Sequence, residues 1–148
     1  MTAEPRVFSV TDRVRWGNVD KMGIVYYGTY VHFLEHGETE LYRELGFSFA
    51  EMFDRFAFEL PRVHLQFDFK HPALVDDEVA IETTVAHVGA SSIRLHFVFR
   101  RLADARVLAE ANLVTACVGR SDLRPRRIPE ELRAALVPCL GAPRERHA

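Results

Sequence analysis

The sequence predicts an α+β fold, an antiparallel sheet wrapped around one long central helix, on three observations. Residues 62–70 and 93–100 alternate apolar and polar side chains with a period of two, residues 28–45 carry an apolar stripe at helical spacing, and only short turns separate the later strands.

In chain order, residues 7–16 read as a first strand that ends at Gly17 and a polar turn, 18–21. The helix begins near Gly28, places Tyr30, Phe33, Leu34, Gly37, Leu41 and Leu45 on one face, and stops at Gly46. A glycine inside a helix costs about 1 kcal/mol relative to alanine, so Gly37 predicts a close approach between helix and sheet. Shorter helical pieces are expected at 48–55 and 129–136, the second with Pro129 in its first turn. Within 62–70, Val63, Leu65, Phe67 and Phe69 should lie on the core, and Arg62, His64, Gln66, Asp68 and Lys70 should face away. Strands follow at 78–88, 93–100 and 107–119, where β-branched residues are frequent. The turns at 72–77, 89–91 and 103–106 are each short enough to join antiparallel neighbours.

A chain of 148 residues, 48% hydrophobic and 11% aromatic, can bury one good core, so residues 1–148 read as a single domain with its core at about 7–136 and a short C-terminal tail. The net charge of -2 argues against a dedicated nucleic-acid binder, which needs a basic excess to displace counterions. Cys117 and Cys139 lack any metal-ligand or CxxC spacing and suit reduced thiols packed as small hydrophobes. There is neither a signal-peptide-like apolar run at the start nor a stretch of 18 apolar residues, so a cytoplasmic protein with no membrane span is expected.

The segment RWGNVDKMGIVYYGTY, residues 15–30, concentrates the chemistry. It sets Asp20 between a strand and a helix start, where unpaired N–H groups and the positive end of the helix dipole can stabilise an oxygen gaining negative charge. In isolation such an aspartate reads as an N-cap or turn residue. His32, Glu35 and His36 spell H-x-x-E-H, an inverted zinc-protease signature. At about 100° per residue, however, both histidines fall opposite the apolar stripe and point to solvent or a subunit boundary, so no metal is expected.

The motif WGNVDKMGIV, residues 16–25, resembles the hotdog-fold acyl-CoA thioesterases of the 4-hydroxybenzoyl-CoA thioesterase and YbgC-type branch. TYVHFLEHGETEL, PALVDDEVAIET and RPRRIPEEL are similar to that branch's helix, a following turn and strand, and its closing segment. The resemblance implies that Asp20 is the catalytic carboxylate of an acyl-CoA thioester hydrolase, as nucleophile or as general base. It implies oxyanion donors among the backbone N–H groups of Tyr26, Tyr27 and Gly28, and an acyl site near Trp16, Tyr26, Tyr27 and Tyr30. Asn18 stands where many relatives have a second acid, and Tyr27 where YbgC-type relatives often have histidine. Another hotdog branch draws its acid from the helix, which makes Glu38 a backup. The branch's basic residues for the CoA phosphates are missing from Gly89 to Ser92. Arg124, Arg126 and Arg127 are the alternative source of positive charge, or else a solvated segment paired with Glu130 and Glu131. No metal or redox cofactor is implied, since coenzyme A is part of the substrate. An exposed sheet edge predicts a homodimer with a continuous sheet, and the resemblance implies active sites at that interface and a homotetramer. Two further readings stay open, a non-catalytic acyl-CoA sensor on the same fold and an acyl-carrier-protein thioesterase, while a hotdog dehydratase or hydratase is disfavoured because Tyr27 stands where it would need a histidine.

Overall fold

In the computed structural model, which describes residues 4–141, the chain forms β1 (Val7–Arg13), α1 (Thr29–Glu44), α2 (Phe49–Phe56), β2 (Phe58–Glu59), β3 (Arg62–Phe69), β4 (Glu78–Val88), β5 (Ser92–Arg101), β6 (Val107–Ala116), β7 (Val118–Gly119) and α3 (Glu130–Leu136). Five strands make an antiparallel sheet in the order β1-β4-β5-β6-β3, and β2 pairs with β7 in a separate ribbon. The architecture is α+β, with three α-helices accompanying the sheet. Among the described residues no helix is long and apolar enough to cross a membrane.

The 16-residue helix α1 lies against β1 and β4. A Cβ on Gly37 would stand 2.7 Å from Ile81 Cγ2 and 2.8 Å from Thr83 Oγ1, so this glycine is what lets the backbone reach the sheet. Gly37→Ala is therefore expected to destabilise the protein by about 1–3 kcal/mol, against the gain a helical Gly→Ala change ordinarily brings. Urea unfolding checks the sign. Phe33, Leu34, Leu41, Ile81, Phe97 and Phe99 are among the side chains that fill the core between α1 and the sheet.

Several details depart from the sequence expectation. β1 stops at Arg13, and Trp16–Asn18 wind into a 3-10 turn instead of continuing the strand. The Asn18 side chain causes this: its Oδ1 accepts the Arg15 N–H at 2.7 Å while the Asn18 N–H donates to Arg15 O at 2.9 Å. The 107–119 strand breaks at Cys117, after which β7 turns away to pair with β2. Pro129 is the N-cap of α3 rather than a member of its first turn. The turn at 72–77 does not join neighbours, because β3 pairs with β6 while β4 pairs with β1 and β5.

The largest departure is in β3. Its alternation is present, but as an edge strand it is mostly exposed, with Phe69 55% accessible on the side facing the helix layer. A bulge at its start adds one residue, so that Arg62 pairs with Thr115 and His64 with Val114. That slip turns Arg62 toward the helix layer and leaves Val63 exposed, the reverse of what strict alternation predicts.

Candidate active site

The segment between β1 and α1 folds back on itself. Asp20 N–H donates to Ile24 O at 2.8 Å and Tyr26 N–H to Asn18 O at 2.9 Å, with a bridge between Val19 and Val25. Gly23, at φ +80, makes the reversal in a backbone region that glycine favours, and its N–H donates to Asp20 O at 3.0 Å. Val19 and Val25 pack on the core, so by alternation Asn18 and Asp20 project from the other side of this short ribbon.

The Asp20 carboxylate is half-buried and fixed through one oxygen, Oδ1, which accepts the Met22 N–H at 2.8 Å. Oδ2 has no partner among the described residues. The ribbon delivers the chain directly into the first turn of α1. There Thr29, Tyr30 and Val31 donate their N–H groups to Tyr26 O, Tyr27 O and Gly28 O, but the N–H groups of Tyr27 and Gly28 have no acceptor among the described residues. The Tyr26 N–H is consumed by Asn18, which reduces the expected donor set to Tyr27 and Gly28. Thr29 Oγ1 also donates to Asn18 O, at 3.1 Å. Asn18 therefore acts as the hinge of the loop, its side chain holding the 3-10 turn and its carbonyl holding the helix start.

The aromatic residues divide into two groups. Tyr30 is buried against Phe99 and Phe69, each with ring centroids 5.3 Å away, and burial pushes its phenol up to about 12. Trp16 is 86% exposed, Tyr27 68%, and Tyr26 packs its ring 4.5 Å from that of Tyr27. At that exposure Trp16 can wall an acyl site only if another surface covers it. Gly28 leaves room for the Tyr26 ring, which a Cβ would meet at 2.6 Å.

Glu38 is not gathered with Asp20. It lies ten residues beyond Gly28 along α1, about 15 Å at 1.5 Å per residue. Only 2% exposed, it forms an ion pair with Arg62, whose guanidinium also donates to Leu60 O at 2.9 Å and sits 5.7 Å from the Phe49 ring centre. Burial raises the Glu38 carboxyl above its ordinary 4.5, and Arg62 offsets part of that rise. Below about pH 4.5 the group is protonated in both folded and unfolded chains. As pH increases the unfolded chain ionises first, so the contribution to stability declines through the raised folded value. The stability margin of wild type over Glu38→Gln is thus expected to shrink between pH 4.5 and pH 7, as read by urea unfolding; a margin that grows would contradict this.

The remaining predicted groups lie elsewhere. Arg124, Arg126 and Arg127 are exposed. Their segment rests on the 89–92 turn, with Ile128 N–H bonded to Ala90 O at 2.9 Å and Cys117 N–H to Ser91 O at 2.7 Å. Arg126 approaches Asp122 at 3.6 Å, and Glu131 pairs with Arg55, so the expected pairing with Glu130 and Glu131 is not formed among the described residues. Of the two helix histidines, His32 is exposed, while His36 approaches Asp12 of β1 with Nδ1 3.4 Å from Oδ2. Both cysteines are buried, and burial raises the Cys117 thiol. Sequence reasoning missed Asp77 and Arg101, which anchor the neighbouring turn; the doubled acids of PALVDD and the arginine pair closing β5 were the available signals.

This fold is that of the hotdog thioesterases: the structure of a 1,4-dihydroxy-2-naphthoyl-CoA thioesterase from Synechocystis superposes with a TM-score of 0.83 at 20% identity, covering 88% of this chain and 96% of that one. The profile of the thioesterase-like superfamily matches residues 14–136. The chain is 30% identical over 128 residues to the acyl-CoA thioesterase YbgC of Haemophilus influenzae, across 86% of this chain and 93% of the relative. It is 32% identical over 124 residues to an acyl-CoA thioester hydrolase YbgC of Escherichia coli, across 81% and 88%. The chain belongs to the thioesterase-like superfamily, within its YbgC-type acyl-CoA thioesterases, a family of thioester hydrolases.

Proposed function

We propose that this protein hydrolyses an acyl-CoA thioester to a free acid and coenzyme A, with Asp20 as the catalytic carboxylate and the N–H groups of Tyr27 and Gly28 as oxyanion donors. One observation carries the reading: a carboxylate oxygen and two helix-start N–H groups, all without a partner among the described residues, are tied into one short loop by the Asn18–Tyr26 hydrogen bond. The thioester carbonyl is electrophilic enough for either of two routes. In the first, Asp20 Oδ2 attacks the carbonyl carbon, the C–S bond breaks to give an acyl-enzyme anhydride and a thiolate that takes up a proton, and water then cleaves the anhydride. In the second, Asp20 removes a proton from water as its oxygen bonds to the carbonyl carbon; the tetrahedral intermediate expels the thiolate, which recovers the proton. Both place negative charge on the carbonyl oxygen, where each well-placed donor contributes about 3–4 kcal/mol.

The working unit is a homodimer, with a tetramer built from it. The β3 edge and its uncovered apolar face support this, since an open strand edge is a template for pairing. Two copies related by a two-fold axis must pair β3 antiparallel. That brings the Asp20 end of one sheet beside the opposite end of the other, where the 124–127 arginines rest on the 89–92 turn. The guanidinium groups are then available to the CoA phosphates at the partner's site, whereas the Asp20 of their own chain lies about 30 Å away, taking about 3.3 Å per residue along a ten-residue strand. In this arrangement the sheet wraps α1 as the central helix, and Glu38, held by Arg62, has a structural role.

Thiol release from a panel of short, long, branched and aromatic acyl-CoAs tests the function. Turnover of at least one member is expected. Binding without turnover on every member would leave an acyl-CoA sensor, and turnover only of acyl-carrier-protein thioesters would redirect the substrate assignment.

A further inference from the structure

Both ends of the Asp20 loop are fastened to a single turn. At the entry, Val14 N–H donates to Asp77 O and Asp76 N–H to Val14 O, each at 2.9 Å. At the exit, Val25 N–H donates to Ala73 O at 2.9 Å, and Ile24 bridges to Leu74. The turn at 72–77 is thus the floor on which the loop stands, although it carries no group that approaches the reacting atoms.

What holds that turn is a side chain from a strand that adjoins neither of its ends in the chain. Arg101, the last residue of β5, uses all three guanidinium nitrogens: Nη2 donates to Pro72 O at 2.7 Å, Nε to Asp77 Oδ2 at 3.1 Å, and Nη1 to Asp104 Oδ2 at 3.1 Å. Its side chain is only 18% exposed, and Asp77 Oδ2 also accepts the Leu74 N–H at 2.9 Å. The guanidinium therefore spans the turn from its first residue to its last. Asp76 is held at φ +72, a conformation costly for a residue with a side chain, so the turn needs external support to persist. Arg13 adds one bond, from Nη1 to Asp76 O at 2.8 Å, from a more exposed position.

We infer that Arg101 is a positioning residue for thioester hydrolysis, acting through the 72–77 turn to fix the Asp20 carboxylate against the helix start. The inference rests on the catalytic reading of Asp20. Its physical basis is that a displacement of the order of 1 Å at a reacting group can cost about 10²-fold in rate, while the fold itself survives. A planar fork that satisfies three acceptors at once also explains why lysine would not substitute.

The test uses full-length Arg101→Met and Arg101→Lys in wild-type and Asp20→Asn backgrounds, with amide hydrogen exchange and acyl-CoA hydrolysis as readouts. Exchange at Val14, Asp20 and Val25 is expected to rise by about tenfold or more in Arg101→Met while the Ile81 and Phe97 amides stay unchanged. The kcat should fall by about 10- to 100-fold with KM nearly constant, and Arg101→Lys should fall between. In the Asp20→Asn background the same change should have no further effect on kcat, because the group being positioned is already gone. Unaltered exchange at the three amides, or an equal loss of kcat in both backgrounds, overturns the inference. Should Arg101→Met not fold, Arg101→Lys carries the same comparisons. If the wild type hydrolyses no acyl-CoA, the thioesterase reading fails and the exchange data alone decide whether Arg101 holds the loop.

Discussion

Leu65→Asp is expected to give a folded monomer with kcat/KM lower by about 10²-fold or more. Leu65 faces the helix layer from β3, at the sheet edge, and remains substantially exposed in the single chain. An aspartate there would be carried into the proposed subunit boundary without a partner, at a desolvation cost that an isolated charge cannot recover. In the unassembled chain it simply meets water, so folding should survive. Catalysis should not, because Trp16 and Tyr27 are left without a covering surface and the 124–127 arginines lie at the far end of the same sheet. Sedimentation velocity and steady-state kinetics on the same sample decide it. Wild-type kcat/KM from a monomer would show that catalysis does not need assembly.

Asp20→Asn should have the larger effect, lowering kcat by about 10³-fold with little change in KM or thermal stability. The reason for choosing asparagine lies in the loop: Oδ1 accepts the Met22 N–H, and an amide oxygen accepts it equally well. The turn and its bonds to Ile24 and Gly23 are therefore retained, while the side chain loses both its nucleophilic oxygen and its basicity. An effect confined to KM would instead assign Asp20 to binding. Single-turnover reaction in heavy-oxygen water reveals direct attack when water cleaves the anhydride at the aspartyl carbonyl, since the released acid then carries an enzyme oxygen and Asp20 gains the heavy one.

The boundaries of the long helix and of β4 were legible because each has a clean period and a local stop: Gly46 for the one, and the turn glycine Gly89 for the other. The 15–30 segment was legible as a turn between a strand and the helix, with Gly23 at its reversal. Periodicity, however, specifies which face a residue occupies and says nothing of which strand lies beside it. Hence the turn at 72–77 looked like a hairpin connection when it crosses between non-neighbouring strands. A bulge is invisible to the same reasoning, because one inserted residue reverses the faces before it; that is how Arg62 came to meet Glu38, and why a helix acid that looked available is paired. Arg101 was missed for a related reason, since its three acceptors come from segments up to 29 residues away in the chain. On the exposed face of β3 the alternation holds from Leu65 to Phe69, but among the described residues only Phe67 is partly buried against the core, and Leu65 and Phe69 stay largely accessible.

The central claim is that the Asp20 carboxylate performs acyl-CoA hydrolysis at the start of α1. Its most direct test is the rate of thiol release from one saturating acyl-CoA by wild type and Asp20→Asn side by side, with both proteins verified as folded and equally assembled. Turnover by the wild type and a loss of about 10³-fold in the variant are expected. Release by Asp20→Asn at close to the wild-type rate would contradict the claim.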